Sequence, residues 1–411
     1  MKMFRKLLTL DEAKKVLAQH FTPKPLGIEE VSLLDAHNRV LAEDVKADLD
    51  IPPFHRSTVD GYAVKAENTF GAEESKPVKL KICGTVNIGE LPKIKVAHGE
   101  AAEIVTGAPI PEGADAVVMF EHTERKNDEL YVYDAVAKDE NVMKAGADIR
   151  KGETILKAGQ LLGSKEIGVL AALGKAKIKV YKAPCVAVLS TGAEITEPGA
   201  ELLPGKIYDI NAYSLSAAVI ECGGKPLYLG VFPDDAAELQ KTLKHALASA
   251  DVVLTSGGVS VGPTDVMPKT LDSLGKPGVI VCGITIKPGK PTTIALVNGK
   301  PVFSLPGHPT SALLVFHLLA RPIIQHMAGL RQRKISKVKA LASARMFPAK
   351  GRRTFVMVKL KRDESNRLLA EPVPTGLSGA ITTMAKADGF VEIPENQQFV
   401  DENEEVVVYL F

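Results

Sequence analysis

The sequence predicts an α/β multidomain protein whose central part is a three-layer α/β domain with a mainly parallel sheet. Residues 183–327 alternate between short apolar runs, typical of buried strands, and amphipathic segments, typical of helices. That order indicates parallel strands joined by helical crossovers. Residues 78–135, and those beyond 328, instead contain short β-rich runs. A chain of 411 residues is also too long for a single ordinary core.

These differences in hydrophobic pattern divide the chain into four parts. Residues 1–46 together with 140–182 are expected to form a discontinuous mixed α/β linking domain, and residues 47–139 a β-rich module inserted into it. The α/β domain occupies residues 183–327 and a barrel-like C-terminal β domain residues 328–411. Each boundary is placed where the hydrophobic pattern changes.

Individual helices can be placed by their end signals. Thr9 and Glu12 have the spacing of a capping box at the start of an N-terminal helix. Ser164, Asn211 and Asp235 are predicted as the N-caps of three later helices. In the α/β domain these helices alternate with strands at 185–190, 226–232, 251–256 and 302–305.

Composition excludes several functional classes. The net charge is +2, from 51 basic and 49 acidic residues, which argues against a strongly basic nucleic-acid-binding surface. Four widely spaced cysteines predict reduced thiols rather than a disulfide framework or a zinc site. The N-terminus is charged within a few residues, and the longest apolar segment is too short for a membrane span. We therefore expect a cytoplasmic protein that binds neither nucleic acid nor membrane.

Three loops of the α/β domain follow the carboxyl ends of predicted strands, where ligands bind in open parallel sheets. They cover residues 190–195, 255–265 and 304–311 and are rich in Gly, Ser and Thr. Glycines let backbone N–H groups approach an anion closely, so these loops predict a phosphate or oxyanion cradle. The second loop is neither a Walker motif nor GxGxxG, and a merely tight turn remains the alternative.

Charged residues near these loops suggest what the cradle binds. Asp265 and Glu194 are candidate Mg²⁺ ligands, since this ion takes one or two carboxylates together with substrate phosphates. The structural alternatives are a helix cap for Asp265 and a solvated acid for Glu194, while Asp234 stays undecided. Lys287 and Lys290 lie three residues apart in a proline-flanked turn that suits a tetrahedral oxyanion, or is simply exposed.

A second set of unusual segments lies outside the α/β domain. Asp60 precedes a glycine in 52–64, and Thr106 precedes a glycine in a proline-containing stretch at 105–121. Asp148 lies before a basic pair in 145–153. Each of these, taken alone, reads as an ordinary turn.

Together the segments resemble the molybdopterin molybdotransferases, the family to which the C-terminal part of gephyrin belongs. The resemblance covers nearly the whole chain and is carried, in order, by PPFHRSTVDGYAV, TGAPIPEGADAVVM, GADIRKGE, VLSTGAE, TSGGVSVGPTD, KPGKPT and LPGHPTSA. It implies an enzyme that inserts molybdate, or tungstate, into the dithiolene of adenylated molybdopterin in the final step of molybdenum cofactor biosynthesis. Mg²⁺ would be required and AMP released. A separate molybdopterin adenylyltransferase would supply the substrate.

The resemblance also implies a homodimer whose site is shared between the α/β domain of one subunit and the β-rich module of the other. By the match, the catalytic positions are Asp60, Thr106, Asp148, Glu194, Asp234 and Asp265, with Glu194 and Asp265 binding Mg²⁺. The substrate-binding positions are Ser190, Thr191, Gly192, Ser256, Gly257, Gly258, Val259, Ser260, Gly262, Lys287, Lys290, Pro306, Gly307 and Pro309.

Two positions depart from the usual family pattern. His55 stands where many relatives have Asp, and His308 stands where Asn is usual. The two departures leave metal choice and fine geometry open. Two other functions also stay open, an adenylyltransferase-like enzyme that consumes ATP and a non-catalytic scaffold.

Overall fold

The computed structural model describes residues 7–258, 266–330, 336–374 and 382–411. It is an α/β multidomain protein with three six-stranded sheets, one of them closed into a barrel, which confirms the predicted fold class. Within those ranges, no helix combines the length and the apolarity that crossing a lipid bilayer requires.

The first segment confirms the predicted capping box. Helix α1 (Leu10–His20) begins after Thr9, whose hydroxyl accepts from the Glu12 N–H at 3.2 Å. The Glu12 carboxylate accepts in return from the Thr9 N–H at 2.8 Å. Three short strands follow: β1 (Ile28–Ser32), β2 (Val45–Lys46) and β3 (Arg56–Ser57).

The β-rich module forms a twisted sheet with apolar residues on both faces. Tyr62 and Val64 pack into one core and Ala63 into another, because neighbouring residues of a strand point to opposite faces. The sheet order is β7-β4-β6-β5-β9-β8. Its strands are β4 (Gly61–Val64), β5 (Val78–Val86), β6 (Glu100–Ile104), β7 (Ala116–Met119), β8 (Thr123–Lys126) and β9 (Glu129–Val132), with 3₁₀ turns at Ala66–Thr69 and Phe120–His122.

After the β-rich module, the chain pairs with the three short strands that precede this module. β10 (Val142–Met143), β11 (Thr154–Leu156) and β12 (Lys177–Tyr181) pair antiparallel with β3, β2 and β1, respectively. Between them lies α2 (Ser164–Ala172). The predicted cap Ser164 is wrong, since it is the first helical residue. The cap is Gly163, whose N–H donates to the carboxylate of the buried Glu166 at 3.0 Å.

The strands of the central α/β domain are β13 (Cys185–Thr191), β14 (Ile195–Thr196), β15 (Ile207–Tyr208), β16 (Lys225–Phe232), β17 (Val252–Ser256), β18 (Pro277–Cys282), β19 (Ile286–Lys287), β20 (Thr293–Val297) and β21 (Lys300–Leu305). Six of them form the main sheet, in the order β16-β13-β17-β21-β20-β18. In this sheet β16, β13, β17 and β21 are mutually parallel, whereas β20 runs antiparallel to both of its neighbours.

Helices cover both faces of this sheet and make the three layers. The domain's helices are α3 (Asn211–Glu221), α4 (Ala236–Ser249), α5 (Val266–Leu274), α6 (Pro309–Val315) and α7 (Arg321–Met327), with a π-helical segment Phe316–Ala320 between the last two. One core joins α1, α3, α6 and α7 to the sheet through residues such as Leu215 and Phe303. The other core joins α4 and α5 to the opposite face through Leu239, Leu243 and Leu271.

The C-terminal region is a small closed barrel. It contains β22 (Lys337–Ala342), β23 (Arg353–Arg362), β24 (Leu368–Pro372), α8 (Thr382–Lys386), β25 (Gly389–Ile393) and β26 (Glu405–Leu410). Closure occurs because β23 pairs with both β24 and β25. The short β19 of the central region also pairs with β23, which places the 286–291 turn beside the barrel.

Candidate functional site

The three glycine-, serine- and threonine-rich loops meet at one edge of the central sheet. β13, β17 and β21 are neighbours, with Ser190 beside Ser256 and Ser256 beside Leu305. Their ends open into a cleft of about 410 Å³. The sequence-predicted residues that line this cleft are Ser190, Thr191, Glu194, Ser256, Gly257, Pro306, Gly307 and Pro309.

Glycines let the loops approach one another closely. Gly257 and Gly258 have φ values of +89° and +62°. A Cβ atom at Gly257 would lie 2.1 Å from the Thr191 carbonyl oxygen, and one at Gly258 would lie 3.1 Å from a carboxylate oxygen of Asp234. Asp234 therefore borders the start of this loop.

Glu194 also occupies space that a side chain would otherwise fill. A Cβ atom at Gly192 would lie 2.8 Å from the nearer Glu194 carboxylate oxygen. The carboxylate thus folds back over the Gly192 backbone at the rim of the cleft. The exposed Glu194 is held through its backbone, since its carbonyl accepts from the Ile207 N–H at 2.8 Å.

Two buried residues that the sequence analysis did not assign to the site connect its loops. Asn211, predicted as a helix cap, is instead the first residue of α3, and its amide nitrogen donates to Ser256 Oγ at 2.6 Å and to the Gly307 carbonyl at 2.7 Å. The capping bond comes from Asp209, whose Oδ1 accepts from the Ala212 N–H at 3.0 Å. The predicted cap was wrong because the Asn211 side chain is held by these two neighbouring loops.

Several polar atoms of the cleft wall have no partner within the protein. Thr191 Oγ1, Asp209 Oδ2 and Asn211 Oδ1 are all buried without a hydrogen bond in the described part of the chain. Buried polar groups are normally satisfied, so each exception calls for an explanation, and a bound ligand is one. The sequence feature that could have identified Asp209 and Asn211 is an acidic residue two positions before an asparagine, at the start of a predicted helix.

The predicted lysines lie beside the cleft. The exposed Lys287 lines a second cavity, of about 590 Å³, between the central sheet and the barrel, with Thr310 and Phe355 among its other walls. Lys290 is partly buried, and its chain neighbour Pro291 lines the cleft. The two spaces are adjacent, because Thr310 of the second cavity follows Pro309 of the cleft.

The second predicted cluster lies on the β-rich module. Thr106 donates to Asp60 Oδ1 from its N–H at 2.6 Å and from its hydroxyl at 2.9 Å. Both residues are exposed. The Thr106 N–H foremost, and its hydroxyl next, hold the pKa of Asp60 below its ordinary value, because they stabilise the charged carboxylate.

Asp148 and His55 lie on two segments that are joined by hydrogen bonds. The exposed Asp148 is anchored by its N–H, which donates to the Ile51 carbonyl at 3.0 Å. His55 Nδ1 accepts from the Ala145 N–H at 3.1 Å, so this ring nitrogen carries no proton in that arrangement. The histidine that departs from the family pattern therefore holds the loop that carries Asp148.

The positions that remain are His308 and four residues of the 255–265 loop. His308 lines the cleft directly before α6. Val259, Ser260, Gly262 and Asp265 lie outside the described residues. Among the residues that are described, no three His, Cys, Asp or Glu side chains form a ready-made metal centre.

The fold and the cleft define a multidomain α/β protein with an open cleft at the carboxyl ends of parallel strands. Comparisons with known families agree over nearly the whole chain. Residues 8–174 match the "MoeA N-terminal region (domain I and II)", residues 187–326 a "Probable molybdopterin binding domain", and residues 339–411 the "MoeA C-terminal region (domain IV)". The chain belongs to the molybdopterin molybdenumtransferase (MoeA) family, whose members are transferases.

Individual relatives are similar from end to end. A molybdopterin biosynthesis protein of Methanocaldococcus jannaschii is 35% identical over 421 residues, with 100% of each chain covered. The molybdopterin molybdenumtransferase of Bacillus subtilis is 33% identical over 407 residues, covering 98% of this chain and 94% of its own. A crystal structure of a molybdopterin biosynthesis MoeA protein from Pyrococcus horikoshii superposes with a TM-score of 0.81 at 46% identity, covering 98% and 99% of the two chains.

Proposed function

We propose that this chain inserts molybdate, or tungstate, into the dithiolene of adenylated molybdopterin, with release of AMP in a Mg²⁺-dependent reaction. The observation that carries the proposal is the cleft formed by the ends of β13, β17 and β21. Its glycine backbone, its buried unpartnered atoms and its rim carboxylates together suit a ligand that has a polar ring and a pyrophosphate. Relatives named molybdopterin molybdenumtransferase support the same activity.

The cleft is suited to the pyrophosphate because of its backbone. Thr191 fills the space that side chains at Gly257 and Gly258 would need, so only glycines let this loop lie against the cleft wall. A glycine-rich loop of this kind can present main-chain N–H groups to phosphate oxygens. The Thr191 hydroxyl, which has no partner in the described protein, is available to a phosphate oxygen.

The donor set at the rim fits Mg²⁺. This ion prefers oxygen ligands and usually takes only one or two carboxylates besides phosphate oxygens. Glu194 places a carboxylate oxygen over Gly192 at the rim of the cleft, and Asp234 places one beside Gly258. We propose that Glu194 holds the ion together with Asp265, and that Asp234 lies beside it. Bound there, Mg²⁺ would neutralise the charge that develops as AMP leaves.

The oxyanion would bind in the adjacent second cavity. Lys287 offers an exposed ammonium group at its wall, and Lys290 follows three residues later. Pro306 and Pro309 form the border with the cleft. The dithiolene sulfurs of the substrate would displace oxygen ligands of the molybdate, which take up protons and leave as water, so the protein has to position the two substrates and need not supply a nucleophile.

We further propose that the site is completed by the β-rich module of a second subunit. Asp60 and Thr106 are held in place yet exposed, and the module's hydrogen bonds join it to itself and to the linking segments. The same module exposes apolar side chains, at 64% for Ile88 and 78% for Leu91, and Ile88 lies beside Gly107, the residue that follows Thr106. The cleft has a similar rim, with Ile207 at 54% exposure. Apolar surface of this kind marks protein contacts.

The substrate would come from a molybdopterin adenylyltransferase, because adenylation has to precede the release of AMP.

We propose that the enzyme is located in the cytoplasm. All four cysteines are free thiols, which fits a reducing compartment.

The proposal is tested by measuring AMP release from adenylated molybdopterin with Mg²⁺, in the presence of molybdate, tungstate or neither. Oxyanion-dependent release of AMP without consumption of ATP is expected. Turnover that consumes ATP instead would indicate an adenylyltransferase-like enzyme. Tight binding of the substrate without any release would indicate a scaffold.

A further inference from the structure

We propose that Asp209 and Asn211 bind the N–H edge of the pterin ring, and thereby fix which end of the adenylated substrate lies at the start of α3. The inference rests on the proposed function, because it names the part of that substrate these residues recognise. It concerns two buried residues that the sequence-predicted site does not include.

Each of the two side chains leaves one acceptor oxygen unused. Asp209 is 3% exposed and Asn211 is 8% exposed. Asp209 Oδ1 accepts from the Ser190 hydroxyl at 2.9 Å and from the Ala212 N–H, whereas Oδ2 has no partner in the described protein. Asn211 Oδ1 likewise has none. A buried acceptor without a hydrogen bond is unfavourable, so a ligand that donates to both oxygens recovers that free energy on binding.

The orientation of the asparagine amide follows from its neighbours. The Gly307 carbonyl oxygen can only accept a hydrogen bond, and it lies 2.7 Å from the side-chain nitrogen of Asn211. The nitrogen therefore has to face Gly307, and Oδ1 has to point away from it. Asp209 and Asn211 both line the cleft, and their unpartnered oxygens are buried in its wall, so a ligand has to displace the groups that cover them in order to donate to both.

The surroundings favour a flat ring over a hydrated cation. Ile195, Ile207, Tyr208 and Ile210 provide apolar walls in the same cleft. The N-terminus of α3 carries a partial positive charge, which disfavours a metal ion at this end. Buried acceptors between apolar walls are typical of sites that bind a heterocycle edge-on through its N–H groups.

The adenylated substrate contains two heterocycles, and only one has the matching edge. The 2-amino-4-oxopyrimidine half of a pterin presents a ring N–H and an amino group side by side, which are two adjacent donors. On the corresponding edge of adenine, one amino donor stands next to a ring nitrogen that accepts. Two acceptor oxygens therefore match the pterin, and the pyrophosphate would extend from it toward Gly257 and Gly258.

The test is a fluorescence titration of the full-length protein with 6-hydroxymethylpterin, alongside AMP binding measured by calorimetry. In Asp209→Asn, Oδ1 still serves Ser190 and Ala212 while the free oxygen becomes a donor. We expect pterin affinity to fall about tenfold or more and AMP affinity to stay unchanged. Asp235→Asn is the matched control, since the exposed Asp235 also accepts backbone N–H bonds at a helix start.

A second comparison needs no variant. The wild-type protein should bind 6-hydroxymethylpterin about tenfold or more tightly than 6-hydroxymethyllumazine, in which a carbonyl oxygen replaces the 2-amino group. Equal affinity for the two rings, or wild-type pterin affinity in a folded Asp209→Asn variant, would overturn the inference. Ring discrimination in a protein that releases no AMP would instead contradict the proposed function and leave this pterin site standing.

Discussion

Thr106 directs both its N–H and its hydroxyl at a single carboxylate oxygen of Asp60, at 2.6 and 2.9 Å. The two residues are 46 positions apart and meet because β4 and β6 pair antiparallel, with Gly61 opposite Ile104. An exposed acid held in this way is fixed in direction and stays charged below its ordinary pKa. Such an arrangement suits a group that has to face a ligand or a partner.

Removing the Thr106 hydroxyl should raise the pKa of Asp60 part of the way toward its ordinary value. Thr106→Val removes the hydroxyl bond but keeps the backbone N–H bond, which is the larger cause of the lowered pKa. Thr106→Ser keeps both bonds and serves as the control. Carboxyl ¹³C NMR titration measures the change. Identical Asp60 titrations in the two variants would show that the hydroxyl does not stabilise the carboxylate.

A site shared between subunits predicts complementation between two inactive variants. Asp60→Asn disables the module side of each site, and Glu194→Gln disables the cleft side. Randomly mixed subunits should recover about a quarter of wild-type activity, since half of the dimers are mixed and each of those has one intact site. Activity is measured after unfolding and refolding the two variants together. No recovery from folded, mixed dimers would place both residues in sites confined to one subunit.

The loop after β17 should tolerate no side chain at Gly257. Gly257→Ala combines a φ of +89° with a Cβ atom 2.1 Å from the Thr191 carbonyl oxygen. Gly205→Ala is the control, because φ is +83° there and no atom lies within 4 Å of its Cβ position. We expect unfolding free energy to fall by about 1–2 kcal/mol in the control and by about 1–3 kcal/mol more in Gly257→Ala. Urea unfolding gives both values, and equal losses would exclude the steric contact.

Arg353 connects the barrel to α1. Its guanidinium makes two bonds to the Asp11 carboxylate, at 2.7 and 3.2 Å, and one to Glu395 at 3.1 Å. Because Asp11 is 58% exposed, Arg353→Met should lower stability at pH 7 by only about 1 kcal/mol. The bond to Arg353 lowers the pKa of Asp11 in the folded state, so this stability is present above the unfolded-state pKa, near 4, and is lost as pH falls through the lower folded value.

A double-mutant cycle with Asp11→Asn checks this assignment. The coupling between the two positions should be measurable at pH 7 and should vanish in strong acid, where Asp11 is protonated in both states. Coupling of the same size at both pH values would contradict an ionic origin and would point to packing of the Arg353 stem.

Lys287 should matter for the oxyanion and not for the pterin nucleotide. Lys287→Ala is expected to raise the KM for molybdate about tenfold or more, by loss of a charge-assisted hydrogen bond, with little change in the KM for adenylated molybdopterin. Lys276→Ala, another exposed lysine of the same domain, is the control. Initial rates measured at varied molybdate concentrations give this KM for each variant. A change confined to the nucleotide substrate would place Lys287 elsewhere in the mechanism.

Much of the fold follows from local sequence patterns. The strand-helix alternation predicts the parallel strands β13, β16, β17 and β21. It does not predict the antiparallel β20, since the direction of a strand depends on its neighbours in space. Closure of the C-terminal barrel likewise depends on β23 pairing with two partners far apart in the chain.

The candidate site likewise has one part that the sequence predicts and another part that it does not. The loops after β13, β17 and β21 could be predicted to converge, because parallel strands end at one edge. Asp209 and Asn211 could not be found in this way. A buried asparagine before a helix looks like a cap in the sequence, and its use as a bridge to Ser256 and Gly307 depends on tertiary packing.

The central claim is that release of AMP is coupled to insertion of the metal. A single-turnover reaction of the wild-type protein with adenylated molybdopterin, Mg²⁺ and molybdate measures it most directly, with AMP and pterin-bound molybdenum quantified in the same samples. We predict that the two products appear together in equal amounts and that Glu194→Gln slows both equally. AMP formed at the same rate without molybdate, or without any molybdenum reaching the pterin, would show that the protein hydrolyses the nucleotide and does not insert the metal.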